Sequence, residues 1–221
     1  MFETEEIMIN HLLDIYDNKF VYKEIGSGYG VADVVIVKNK AAFKEFSQER
    51  AGRHLQTNDQ IKVFLYMRNK RQGITFEDLY NNHFLSKRNL KQNILRYLIS
   101  IKALMYIDGL YYRNMDFKLF PIDCIALEGK LTNWYSGLVQ AIRYKKFAKK
   151  SYVAIDENYA HRANVELFKE QNIGLLTIGS KINVVFSPKI EQPLDPIMRY
   201  RISENLIKIN HYSNPRALRE I

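Results

Sequence analysis

Glu128 and Lys130, separated by one glycine, close an apolar stretch that runs Ile122-Asp-Cys-Ile-Ala-Leu-Glu-Gly-Lys130. In a strand, side chains alternate between faces, so Glu128 and Lys130 emerge together beside Ile122, Cys124 and Ala126. A carboxylate and an ammonium at the end of a buried strand are costly unless they pair or react. The chemistry that uses both is metal-assisted attack on phosphate: the carboxylate holds a divalent cation, and the lysine sits beside the attacked phosphate or the water. Taken by itself, the pair reads better as a strand that ends in two surface charges.

The elements that would position them lie on both sides in sequence. Upstream, Gly26-Ser-Gly-Tyr-Gly runs into the β-branched stretch Val31–Val37, which carries Asp33 near its start. The three glycines lack the strand-before, helix-after context of a dinucleotide fingerprint. They read instead as a corner or bulge between strands at Phe20–Ile25 and Val31–Val37. Downstream, Asn133–Tyr144 has a helical pattern with Gln140 and Tyr144 four residues apart on one face. A short apolar strand, Ser151–Ile155, follows it.

An Asp-bearing strand, a Glu-x-Lys strand, a helix with Gln-x-x-x-Tyr and a further apolar strand, in that order, resemble the PD-(D/E)xK nucleases of the restriction-endonuclease-like fold. The likeness covers residues 1–56 and 119–186. It implies an α/β fold, a mixed sheet flanked by helices, with Asp33 and Glu128 as metal ligands and Lys130 as the catalytic lysine. It also implies a metal role for the main-chain carbonyl of Gly129, an accessory role for Gln140, and Mg²⁺ or Mn²⁺ as cofactor. The family often carries a glutamate on its first helix, and Glu6, with Glu5 next to it, fits that place because it shares a face with Ile9 and Leu13. Asp123, nearer to Glu128, is set aside because its odd spacing sends it to the opposite face.

Between the two halves, residues 57–118 read as an insertion. Helical patterns over 59–71, from Thr75 and from Ser86 are followed by Tyr106–Tyr112, where Asp108-Gly109 signals a two-residue hairpin. Three helices and a hairpin resemble a winged helix-turn-helix module. In such modules the third helix enters the DNA major groove, which makes Lys87, Arg88, Lys91 and Gln92 the candidate DNA contacts, with Arg113 beside the wing. The core then resumes at 119 with a C-terminal extension from about 187, whose amphipathic stretch around Ile197–Ile209 reads as a packing or dimerisation element with a basic tail.

The 221 residues carry a formal net charge of +9, which favours polyanionic partners. One cysteine excludes an internal disulfide, and the five scattered histidines lack zinc-ligand spacing. The opening Met-Phe-Glu-Thr-Glu-Glu lacks a signal-peptide pattern, and no apolar run is long enough for a bilayer, so the expected setting is the cytoplasm, away from membranes. The expected activity is Mg²⁺-dependent DNA endonuclease. Alternatives are a non-catalytic DNA-binding regulator on the same fold, or a nuclease subunit active only in a larger nucleoprotein assembly; a homodimer is compatible with each.

Overall fold

The computed structural model describes residues 1–15, 20–28 and 30–212, so Tyr29 of the glycine turn and the basic tail lie outside it. The chain divides into two compact units: Met1–Ala42 with Ile122–Ile202, and Phe43–Pro121 with the chain from Ser203 onward. The second unit thus takes in more than residues 57–118.

The first unit is an α/β structure on a mixed six-stranded sheet flanked by helices. Helix α1 (Glu5–Ile15) leads into β1 (Val21–Gly26) and β2 (Val31–Val37), and helix α2 (Lys40–Arg50) leaves toward the second unit. The chain returns through β5 (Cys124–Lys130), α6 (Trp134–Tyr144), β6 (Lys150–Asp156), a 3₁₀ turn (Glu157–Arg162), α7 (Val165–Glu170), β7 (Gly174–Ile178), β8 (Ile182–Phe186) and α8 (Pro196–Tyr212). The order is β1-β2-β5-β6-β7-β8. The β1–β2, β2–β5 and β7–β8 pairs are antiparallel, whereas β5–β6 and β6–β7 are parallel. As expected of a corner, the glycine turn joins an antiparallel pair; Gly28 and Gly30 have positive φ, and Ser27 N–H donates to Gly30 O at 2.9 Å.

Alternation along the strands assigns each face. Val34 and Ile36 of β2 and Leu127 of β5 pack with Met8, Ile9 and Leu12 of α1. The buried α1 residues sit at i, i+1 and i+4, one helical stripe whose N-terminal extension is Glu5. Gly129 faces α1 too: a Cβ there would lie 2.6 Å from Ile9 Cδ1, so β5 and α1 touch through a missing side chain. The opposite face of β5, with Glu128 and Lys130, meets α6, where a Cβ on Gly137 would lie 2.9 Å from Lys130 Cγ.

In the second unit, α3 (Asn58–Arg68) and α4 (Phe76–Asn81) precede a π-wound turn (Asn89–Leu95) that continues into α5 (Arg96–Ser100), and then the β3 (Leu104–Ile107)–β4 (Leu110–Arg113) hairpin. Thr75 accepts from Asp78 N–H as N-cap of α4, and Ser86 accepts from Asn89 N–H at 3.2 Å. Asp108 and Gly109 both have positive φ, the requirement of a type I′ turn. A single bridge ties Ile74 to Tyr111. The C-terminal half of α8 joins this unit through Glu204. Arg50 Nη2 lies 2.6 Å from Glu204 Oε2 with side chains 2% and 0% exposed, and Leu55 N–H donates to the same oxygen. The guanidinium also sits 3.7 Å from the Phe117 ring centroid. So this stretch of α8 packs within its own chain. Among the described residues no helix is long and apolar enough to cross a membrane.

Candidate active site

The β2–β5 register pairs Val34 with Leu127 and Val35 with Ala126. One further step sets Asp33 opposite Glu128, on the face where Lys130 also emerges. Residues 127 and 129 turn their main-chain polar groups toward β2, so the 33–128 position is the closely spaced kind in which facing side chains approach most. Asp33 Oδ2 accepts the Gly129 N–H at 2.7 Å. The Gly129 carbonyl leaves the strand on the same edge as its N–H.

Glu128 is 2% exposed. Its Oε1 lies 2.9 Å from Lys130 Nζ, and its Oε2 accepts a bond from the Tyr144 hydroxyl. That hydroxyl also lies 2.7 Å from the Val31 carbonyl, so one proton faces two acceptors. Lys130 Nζ reaches Glu5 Oε2 at 3.1 Å as well, and Glu5 Oε1 accepts from Leu131 N–H at 3.4 Å. The first-helix acid that joins the cluster is therefore Glu5, and Glu6 stands exposed. The spacing was present in the sequence, but which stripe is buried was not. Glu5 precedes Met8, Ile9 and Leu12 at i+3, i+4 and i+7, and Met8, at 0% exposure, marks the buried phase better than Leu13 does.

Burial raises the pKa of Asp33 and that of Glu128; Glu5 and Glu24 raise Asp33 further, and Asp33 raises Glu128 further. The Gly129 N–H and Lys130 oppose this at Asp33, as do Tyr144 and Lys130 at Glu128, without cancelling it. For Lys130, burial pulls the ammonium pKa down, but bonds to Glu128 and Glu5 outweigh it and the net shift is upward. Burial, then the Glu128 bond, pushes the Tyr144 phenol above its ordinary value. Two acids with raised pKa values beside a firmly charged lysine form a site short of positive charge.

Gly137, Gln140 and Tyr144 occupy one stripe of α6 (i, i+3, i+7). Gly137 lets the Lys130 stem pass and Tyr144 holds Glu128. Gln140 Oε1 is buried with no hydrogen-bond partner among the described residues. The sequence pattern singled out Gln140 and Tyr144, but gave no role to Gly137. Asp123, set aside on parity, is bound by Lys149 at 2.6 Å and by Arg199, away from this cluster. Among the described residues no three His, Cys, Asp or Glu side chains group as a metal-ligand set. The Asp33–Glu128 pair would need its third oxygen from the main chain, water or phosphate.

Comparison with models of known families, with curated proteins and with solved structures found no match. The functional reading therefore rests on geometry.

The candidate DNA contacts lie on the second unit. Lys87, Arg88, Lys91 and Gln92 are exposed at the start of the third helical segment, with Arg88 Nε donating to Gln92 Oε1 at 3.3 Å. Arg113 is more enclosed: Nη1 donates to the Arg68 carbonyl at 3.1 Å and Nη2 faces Met115 Sδ.

Proposed function

We propose that the protein is a divalent-metal-dependent DNA endonuclease of the PD-(D/E)xK kind, with a winged-helix module as its second unit. One observation carries the reading: Asp33, distant in sequence from Glu128 and Lys130, converges with them on one face of neighbouring strands. The element order supports it, with a helix, an antiparallel strand pair, a Glu-x-Lys strand, a helix and a parallel strand. In the second unit, three helical segments, a strand bridge at Ile74 and a hairpin support the winged-helix reading.

Asp33, Glu128 and the Gly129 carbonyl are hard oxygen donors in a site short of positive charge, a set that fits Mg²⁺ or Mn²⁺. When bound, such an ion polarises the phosphate and lowers the pKa of water. Asp33 Oδ2 stays on the Gly129 N–H, which leaves Oδ1 to face a cation. Lys130, charged and anchored by Glu5, is placed to orient the attacking water or to stabilise charge that develops on the phosphoryl oxygens. Tyr144 fixes the Glu128 carboxylate, and Gln140 offers an unused acceptor from the same helix stripe. The exposed cations at the start of the third helical segment supply the contacts to duplex DNA.

A second reading, a nuclease subunit switched on by a partner, is favoured by a specific contact. Both Glu128 oxygens are engaged, so a cation at Glu128 competes with Lys130 at Oε1, and a partner that draws Lys130 away would favour it.

Supercoiled plasmid incubated with Mg²⁺ or Mn²⁺ tests the proposal. Nicking or linearisation by the wild type, lost in Glu128→Gln and Lys130→Ala, is expected. A folded wild type that cuts with neither ion overturns the autonomous nuclease.

A further inference from the structure

The exposed run Arg68-Asn-Lys-Arg-Gln72 joins α3 to the strand bridge at Ile74, and two adjoining grooves share residues 69–72 of it. The larger, about 650 Å³, is lined by this run together with Met105, Tyr112, Arg113 and Met115. No acidic residue lines it. The smaller, about 530 Å³, adds Tyr66 and Asp78, and Asp78 is already bonded to the Thr75 hydroxyl at 2.8 Å.

The groove has a built floor. A Cβ on Gly73 would lie 2.5 Å from Tyr112 Cζ, so the missing side chain lets the tyrosine ring lie across the loop. Lys70 stands 4.9 Å from the Tyr66 ring centroid, and neither it nor Arg71 has an ion pair among the described residues. Arg113 Nε is buried without an acceptor. The site thus combines two cations, Lys70 and Arg71, that have no ion pair among the described residues, one unused donor and an apolar wall of Tyr112, Met105 and Met115.

Polar and apolar surfaces in that combination match a nucleotide, with phosphate to the cations and a base against the tyrosine and thioethers. The bridge pairs Ile74 with Tyr111, and the run precedes it while the hairpin turn lies at 108–109, so the groove sits at the hairpin's base rather than its tip. Its residues are distinct from Lys87, Arg88, Lys91 and Gln92. We propose that this groove binds the phosphate-bearing units of single-stranded nucleic acid, through Lys70 and Arg71 on the backbone and Tyr112 beneath a base. The proposal goes beyond the endonuclease reading and does not depend on cleavage.

The test is fluorescence anisotropy of a labelled oligo-dT in EDTA, where a failed nuclease reading has no influence. Lys70→Ala/Arg71→Ala, both at exposed positions, is compared with wild type and with Lys87→Ala/Lys91→Ala. The groove variant should bind oligo-dT at least about tenfold more weakly, with a log K–log salt slope shallower by about 1.4, the value for two lost single-strand phosphate contacts. The helix variant should keep most of its oligo-dT affinity. Competition by a free nucleoside triphosphate at micromolar concentration would assign the groove to mononucleotides as well, by the same chemistry. Unchanged affinity and slope in a groove variant with a wild-type circular dichroism spectrum would overturn the proposal.

Discussion

At the scale of single residues, the cluster trades stability for readiness. The raised pKa of Asp33 means that the folded chain holds its proton above the ordinary carboxylate value of 3.8. The folded state therefore binds more protons than the unfolded one between that value and the raised pKa. This contribution to stability falls as pH rises through the window and stays unfavourable above it. Asp33→Asn keeps an acceptor for Gly129 N–H and removes the charge, so it should raise the melting temperature at neutral pH, and the gain over wild type should vanish in acid. Calorimetry across pH checks both. The same substitution should abolish the upward shift that Mn²⁺ gives the wild type, about 2.7 kcal/mol at a hundredfold excess over Kd. Tyr144→Phe leaves a buried Glu128 oxygen without its donor, at a cost of about 1–3 kcal/mol. It should also move the acidic limb of the cleavage pH profile upward, since Glu128 loses a bond that lowers its pKa. Cys124, by contrast, is only a core residue: burial pushes its thiol up to about 12.

At the scale of elements, the strands and helices that carry the site were legible because alternation and helical spacing are local. Val31–Val37 and the parity that unites Glu128 with Lys130, and excludes Asp123, follow from the period of two. Two other features needed the fold. Glu5 replaced Glu6 because the depth to which Met8 is buried depends on the sheet beneath it. Gly137 went unnoticed because a glycine in a helix announces nothing until another side chain crosses it. Gly137→Ala should push the Lys130 stem and Val153 aside, costing about 1–3 kcal/mol and lowering the cleavage rate more than the melting temperature implies. Of the cations that follow α6, Lys145 pairs with Glu191 and Lys149 with Asp123, so part of that charge is spent inside the protein.

At the scale of the whole molecule, composition gave a preference for polyanions and no address. The excess charge includes the exposed residues of the third helical segment and the hairpin-base groove. Neutralising Lys87, Arg88 and Lys91 together should weaken duplex DNA binding and reduce the salt slope by about 2.7, as three lost phosphate contacts require. The second unit's buried Arg50–Glu204 pair was invisible in sequence, since nothing local links residues 154 positions apart. Glu204→Gln leaves Arg50 charged among Phe46, Phe117 and main-chain carbonyls, and should cost about 3–5 kcal/mol in urea denaturation.

The bond from Gly129 N–H to Asp33 spans 96 positions. Its partners meet only after the chain has traversed the second unit, whereas β1 and β2 form a local hairpin. Loop closure over that span and strand pairing of high contact order are slow steps compared with a hairpin's microseconds. During synthesis, Asp33 emerges well before Glu128 and Lys130, and the acid pair stays apart until β5 docks. On the proposed nuclease reading, the order of translation withholds catalysis from the growing chain on the ribosome until the acid pair is assembled.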